Sequence, residues 1–430
     1  MNRIRTPGLP PAIVGFLVGA TSADSIRIRV PQEAPTGLPA IVAVPFAPAG
    51  DRAPAGPLIF QAGAPLPAGT PVQYVPDLDA KGQPTGHGTL YLPLTVAPGM
   101  RGRTFDIPLT PPVEPPPARL HLKVLPDQAT QFYDGQRLVM QYNHGPKAPE
   151  GEKDPDPVID FVHPIFGLDG EILTENQPRD HFHHRGLFWA WARLKHGEKV
   201  CGDWWARQDV RYHLGRIIRR EAGPVLATIT AEGYWDYQTK DMPEAQRLVR
   251  EVATIRLYTE GLTGPADYQA FDVDIDLYAM VDNLTLSGRE SFNKGYGGFT
   301  MRLPGPDPKA PKPNAKATRV QVTADGKVVP KDSNMYRAYW ADYTGDFPKA
   351  SKGLSGAAIF THPDHPGSPP PWCLRYYGPL NPSWPGLQFV ALHKDRPIRL
   401  SYRVVLHRGD AKTARLADLY RLYASAWAPR

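Results

Sequence analysis

Seven of the chain's thirteen histidines fall between positions 144 and 213: His144, His163, His181, His183, His184, His196 and His213. An even spread over 430 residues would put about two there. Histidine is the side chain that moves protons near neutral pH and the commonest metal ligand, so the excess calls for a chemical explanation. Its core is Asp180-His181-Phe182-His183-His184-Arg185-Gly186. Read as an extended strand, this segment sends His181, His183 and Arg185 to one side and Asp180, Phe182 and His184 to the other. Asp180 is then placed to orient His184, while His181 and His183 can reach one metal ion or one anionic or hydroxyl-rich ligand. A lone histidine reads as a satisfied core residue; three in four positions, flanked by Asp and Arg, read as a site.

Trp189, Trp191, Trp204, Trp205 and Trp235 follow closely. Indole faces stack on the apolar faces of sugar rings, so a histidine cleft walled by tryptophan suits carbohydrate. Core packing competes for the same residues and claims most of them. Asp169, Glu175 and Asp203 are carboxylates near enough in sequence to act as acid or base. Other chemistries lack their motifs. There is no Walker sequence, no Gly-rich phosphate loop opening a helix, no Gly-x-Ser-x-Gly elbow and no His-Glu-x-x-His helix.

The elements that must position these residues are mostly strands. The chain has 50 Pro and 39 Gly, so it turns often and leaves little room for long helices. Ile26, Ile28 and Val30 alternate with Arg27 and Arg29, as a half-buried strand requires. Ile41–Val44 and Thr89–Leu94 continue a small β unit over 24–110. The proline run within 111–118 prefers an extended, stiff conformation and predicts a domain boundary. From 119 to 430 the alternation is clear. It includes Phe271, Val273, Ile275 and Leu277 against Asp272, Asp274 and Asp276, three carboxylates read as a solvated face. Asp134-Gly135 and Asp325-Gly326 signal hairpins. One helix is expected near the end, capped by Asp410, with Leu416, Leu419, Tyr420, Tyr423 and Trp427 on one stripe. The fold class is therefore mostly β. It is a large antiparallel sandwich, with a mutarotase-like supersandwich as the analogue, plus a small N-terminal β domain and a C-terminal helix.

Charge excludes one class. Lys and Arg number 49 against 43 Asp and Glu, with no dense basic block, so no nucleic-acid partner is expected. Cys201 and Cys373 are too few for a disulfide framework or a Cys-rich zinc site, and are either two buried thiols or one bridge. Arg3 and Arg5, the apolar stretch Ala12–Ala20 and the small residues after it follow the order of an export signal over 1–23. The expected location is periplasmic or secreted, with cytoplasmic as the alternative. No run of about twenty apolar residues predicts a membrane span.

The motif set resembles the DUF6807 family, also labelled "methane oxygenase PmoA". The resemblance rests on His163-Pro164-Ile165-Phe166-Gly167-Leu168-Asp169-Gly170 and on Asp180–Phe188. It extends through Tyr296-Gly297-Gly298-Phe299 with Arg302, Trp340–Gly345, His362-Pro363-Asp364-His365-Pro366, Ser401–Val404 and His407-Arg408-Gly409, covering about 120–410. Phe182 stands where the family usually has Pro. The resemblance implies a bacterial β-rich protein, and its members look like neighbours of sugar-oxidising and glycan-degrading systems.

Three functions remain. The leading one is a carbohydrate-active lyase, hydrolase or epimerase. Here His181, His183 or His184, with Asp180, supplies acid–base chemistry and Arg185 holds an oxyanion or carboxylate. His163, Trp189, Trp204, Trp205, Tyr296 and Arg302 would line the substrate. The second is a metal-dependent oxidoreductase with a divalent or transition metal on His181 and His183. The third is a glycan-binding module without turnover. The partner is a carbohydrate or other small molecule in each case, and the oligomeric state is left open.

Overall fold

The computed structural model describes residues 17–22, 25–47, 58–79, 81–112, 116–148, 158–259, 267–306, 317 and 319–426. The expected export signal falls mostly on residues 1–16, outside those described. Leu17–Ser22, at its end, is a strand paired with Ser25–Arg29. The described chain is mostly strand, as its alternation predicts, and no described helix is long and apolar enough to cross a membrane.

It forms two units. One holds the residues up to Pro116 together with the chain from Asp418 onward; the other runs from Pro117 to Ala417 apart from a short excursion at 262–264.

The N-terminal unit is a seven-stranded antiparallel sheet. Its order is Leu17–Ser22, Ser25–Arg29, Thr104–Thr110, Leu58–Ala62, Thr70–Leu78, Pro84–Thr95 and Pro39–Phe46. Ile26, Ile28 and Val30 are buried while Arg27 and Arg29 face water, the expected alternation. The helix Leu416–Ala426 groups with this unit from Asp418 on. The Asp410 carboxylate accepts the Thr413 N–H at 2.7 Å, so it caps a turn just before the helix rather than the helix itself. Leu416, Leu419, Tyr420 and Tyr423 are buried on its stripe; Trp427 lies outside the described residues.

The larger unit contains two nine-stranded antiparallel sheets. The first runs Ser333–Arg337, Pro371–Leu374, Pro379–Pro382, Gly298–Arg302, Leu187–Ala190, Phe161–Ile165, Arg137–Asn143, Ala129–Asp134 and Leu120–Leu125. The second is built on the long strands Val210–Ala222, Leu226–Tyr237, Gln246–Tyr258, Tyr268–Ala279 and Ile398–Arg408. Their inner faces meet as a sandwich. Phe299 of the first stacks on Tyr402 of the second with centroids 4.2 Å apart. Trp189 of the first donates its indole N–H to Glu251 of the second at 2.7 Å. A four-stranded sheet, with Arg193–His196 and Leu284–Ser287 at its centre, flanks them. Both hairpin signals hold. At Asp325-Gly326 both residues have positive φ (46° and 78°), the primed turn that matches strand twist.

One face differs from expectation. Phe271, Val273, Ile275 and Leu277 are fully buried, as alternation predicts. The opposing carboxylates are not a solvated face, because arginines on neighbouring strands claim them. Arg403 holds Asp272 through two bonds of 2.7 and 2.9 Å, Arg256 lies 2.5 Å from Asp274, and Arg399 holds Asp276 at 2.7 Å. Asp272 is only 1% exposed.

Candidate active site

The histidine segment is not a strand. The His181 N–H bonds the Pro178 carbonyl at 3.0 Å and the His184 N–H bonds the His181 carbonyl at 2.9 Å, giving consecutive tight turns. The base of this loop is pinned to the sandwich. Gly186 N–H donates to the Glu175 carbonyl at 2.9 Å, and Arg302 N–H to the Gly186 carbonyl at 2.8 Å. Gly186 has φ +60°, and a Cβ there would lie 2.4 Å from the Val162 carbonyl oxygen, so only glycine fits. The turns cancel the predicted alternation. His181, His183 and His184 all line one pocket of about 220 Å³, and Arg185 does not.

Asp180 orients His181 rather than His184. Its Oδ2 accepts from His181 Nδ1 at 2.8 Å. Arg302 Nη2 lies 3.0 Å from both Asp180 oxygens, and its Nε reaches Glu175 at 3.2 Å. Arg302 is buried, so it acts beneath the pocket and does not line it. Burial alone would raise the Asp180 carboxyl; the His181 hydrogen bond and the Arg302 charge outweigh it and hold the carboxyl below its usual range. Asp180 is therefore a fixed anion behind His181. The His181 ring stacks in parallel with Tyr377 (5.0 Å, 9°) and with His184 (4.7 Å, 15°).

His183 and His184 are uncharged at neutral pH. Burial, then the charges around His181, Arg185 and Arg207, lowers the His183 ring to about 4. Burial, then His183 and Arg302, pushes His184 well below the ordinary imidazole range. Its Nδ1 is buried with no hydrogen-bond partner among the described residues. These two rings offer neutral donors and acceptors, not positive charge.

With this geometry in place, comparison with known proteins adds one finding. The sequence matches the family of unknown function DUF6807 over residues 129–421. The chain belongs to the DUF6807 family. No curated protein matches it. The DUF6807 match contains every pocket residue and leaves the N-terminal sheet outside.

Several family anchors are core contacts. His407 Nε2 lies 2.8 Å from Asp342, both fully buried, and His365 Nε2 lies 3.0 Å from the Tyr402 hydroxyl. His163 bonds Thr174 Oγ1 at 2.9 Å and is lowered to about 4 by burial; it does not line the pocket. Arg185 is fully buried, with its guanidinium over Phe188 (4.7 Å) and Trp204 (4.6 Å). The turn at His184 swings it into the sandwich. Trp189 and Trp204 are core, and of the five tryptophans Trp205 alone walls the pocket, together with Tyr296. Asp169 is tied to Arg408 at 2.9 Å and Asp203 to the Ala206 N–H at 2.8 Å, so neither serves the pocket.

The opposite wall of the DUF6807 pocket is Cys373, Arg375, Tyr377, Pro379 and Asn381, with Lys294 from a separate loop. Of these the sequence singled out Cys373 alone, and as a thiol rather than a pocket residue. Asn381 fastens the hairpin through its amide to the Gly297 and Phe299 carbonyls at 3.0 and 2.8 Å. A usable signal was Gly378 between Tyr377 and Pro379. It has φ +134°, and a Cβ would lie 2.1 Å from the Leu303 carbonyl oxygen. Burial raises the Cys373 thiol to about 11, so it is no nucleophile at neutral pH. Both cysteines are free and buried.

Among the described residues no three His, Cys, Asp or Glu side chains gather as a metal set. Imidazole lone pairs lie in the ring plane, so the stacked rings of His181 and His184 cannot point at one ion about 2 Å from each nitrogen. His183 stands at 77° to His181 and at 90° to His184, so each of those two-ring pairs is left for the metal reading.

Proposed function

We propose that the pocket is the active site of a carbohydrate-processing enzyme that works by proton transfer, as a lyase or epimerase, with His181 as the base. The observation that carries this is the Asp180–His181 pair at 2.8 Å on the wall of an aromatic pocket. Asp180 fixes the ring through Nδ1, which leaves Nε2 to take a proton. The anion then stabilises the imidazolium that forms. Trp205, Tyr296 and Tyr377 supply the flat faces a sugar ring stacks on.

Hydrolysis fits less well. Most glycosidases flank the scissile bond with two carboxylates. Among the described residues no Asp or Glu lines this pocket. Asp180, next to His181 in the loop, is committed to His181 and Arg302.

The test is proton exchange. The protein is incubated with a panel of glycans and sugar acids in D2O, and deuterium entry at sugar carbons and new double bonds are followed by NMR. His181→Ala should lower the rate by about 10²–10⁴-fold, the range of a positioned acid–base group. Asp180→Asn should lower it less. Turnover that survives His181→Ala unchanged would overturn the assignment.

A further inference from the structure

We infer that the substrate is an acidic sugar whose carboxylate is held at Lys294, in the positive field of Arg375. This deepens the reading above and rests on it for the chemistry, though not for the binding.

Two cations line the pocket, and among the described residues no carboxylate lines it beside them. Lys294 lines it and has no carboxylate in ion-pair range among the described residues. Arg375 is 8% exposed and lines it too. Its Nη1 donates to the carbonyls of Ser333 and Leu374 at 2.8 and 2.9 Å, and its Nη2 donates to the Asn334 amide oxygen. Those partners are neutral, so they fix the guanidinium without cancelling its charge. Its nearest carboxylate, Asp332, is 3.9 Å away and half exposed. Both cations line the same pocket as the buried Cys373 thiol. His183 and His184 add no charge, and the Asp180 anion is bound to Arg302 and His181. The surplus is positive, and an anion completes it.

The loop that carries Lys294 is built for placement. Phe292 and Asn293 both have positive φ (56° and 53°); asparagine adopts that region readily, but a bulky aromatic avoids it unless the surroundings impose it. The loop is closed by Arg289 N–H to the Tyr296 carbonyl and Gly295 N–H to the Arg289 carbonyl, each 2.8 Å.

A carboxylate is the anion that the proposed chemistry needs. The C–H beside it becomes removable only when its charge is neutralised, since abstraction adds a second negative charge. His181 Nε2 takes that proton, and the C–H electron pair moves into the carboxylate as an enolate. In a lyase this pair then forms a C=C bond as the bond to the neighbouring glycosidic oxygen breaks, and that oxygen takes the proton from His181. In an epimerase a proton from water reaches the opposite face of the same carbon, and His181 gives its own proton to solvent. No oxidant or reductant enters either sequence.

Binding is measured by isothermal titration calorimetry with sodium glucuronate, sodium galacturonate, glucose, galactose and inorganic phosphate, using the full chain, Lys294→Met and Lys294→Arg. We expect at least one uronate to bind at least tenfold more tightly than its neutral parent. Lys294→Met should weaken it at least tenfold with unchanged thermal unfolding, and Lys294→Arg should restore part of the loss. Equal binding of uronate and neutral sugar, unchanged uronate binding in Lys294→Met, phosphate binding without uronate binding, or no binding by any probe would each overturn the inference. The two readings fail separately. Uronate that binds through Lys294 but never exchanges a proton sinks the catalytic reading alone. Exchange that needs His181 but ignores Lys294 sinks this one alone.

Discussion

Arg302 lies 3.0 Å from both oxygens of Asp180, so the carboxylate behind His181 is held by a guanidinium buried in the sandwich. The histidine loop thereby takes its position from the strand Gly298–Arg302. Arg302→Met would leave Glu175 and Asp180 facing each other without a cation. Breaking a fully buried pair costs about 3–5 kcal/mol. The Asp180 side chain is 36% exposed, so about 2–3 kcal/mol is expected here. Urea unfolding measures it. A loss under about 0.5 kcal/mol would show that Arg302 does not anchor the loop.

The pH behaviour of His183 follows from its burial. Its folded-state value, about 4, lies below the usual 6.5. Below pH 6.5 the unfolded chain takes up a proton that the folded ring refuses, so this group destabilises the fold as pH falls from 6.5 towards 4. His183→Gln removes the effect. The variant should gain on the native protein as pH falls through that window, by up to about 1 kcal/mol per unit after discounting for the open pocket. NMR of the ring in the native protein should show no titration until about pH 4. A ring that titrates near 6.5 would contradict the placement.

How much of this was legible in the sequence depends on range. Strand alternation is local, and Phe271, Val273, Ile275 and Leu277 sit where it puts them. Turn residues are local too, and Asp325-Gly326 turns as read. Asp272, Asp274 and Asp276 were placed on the right face, but their arginine partners lie on other strands, out of view of any local pattern. The histidine segment fits a strand and a turn equally well by composition. Pro178, whose carbonyl closes the first turn, was the one signal in favour of the turn. The pocket's second wall comes from a hairpin nearly two hundred residues later, and only the fold brings Tyr377 against His181.

Glu251 illustrates a buried acid held for structure. It accepts Trp189 Nε1 at 2.7 Å and Trp235 Nε1 at 3.0 Å, and it is fully buried. Burial, then the neighbouring Asp160, raises its carboxyl well above the usual range. Glu251→Leu orphans two indole N–H groups at about 1–3 kcal/mol each, so a loss of roughly 2–6 kcal/mol is expected. Glu251→Gln keeps one acceptor and should lose about 1–2 kcal/mol. Equilibrium unfolding of the pair decides it. Equal losses would mean that the indole bonds are not what Glu251 contributes.

Metal content separates the proton-transfer reading from the oxidoreductase one. A histidine site binds a transition metal firmly when three or more ligands converge, and here the parallel rings of His181 and His184 direct their lone pairs along separate lines. His183 paired with either of the other two rings leaves two ligands and water for the rest of the shell. Elemental analysis of tag-free protein should therefore find well under about one tenth of a zinc, copper or iron per chain at this pocket, and the same in His183→Ala. Added zinc should bind weakly and without raising the unfolding temperature. One metal per chain that disappears in His183→Ala would reverse the conclusion. The loop from Pro178 to Gly186 would then have to rearrange on binding, turning the His184 ring out of its stack so that a third nitrogen could reach the ion.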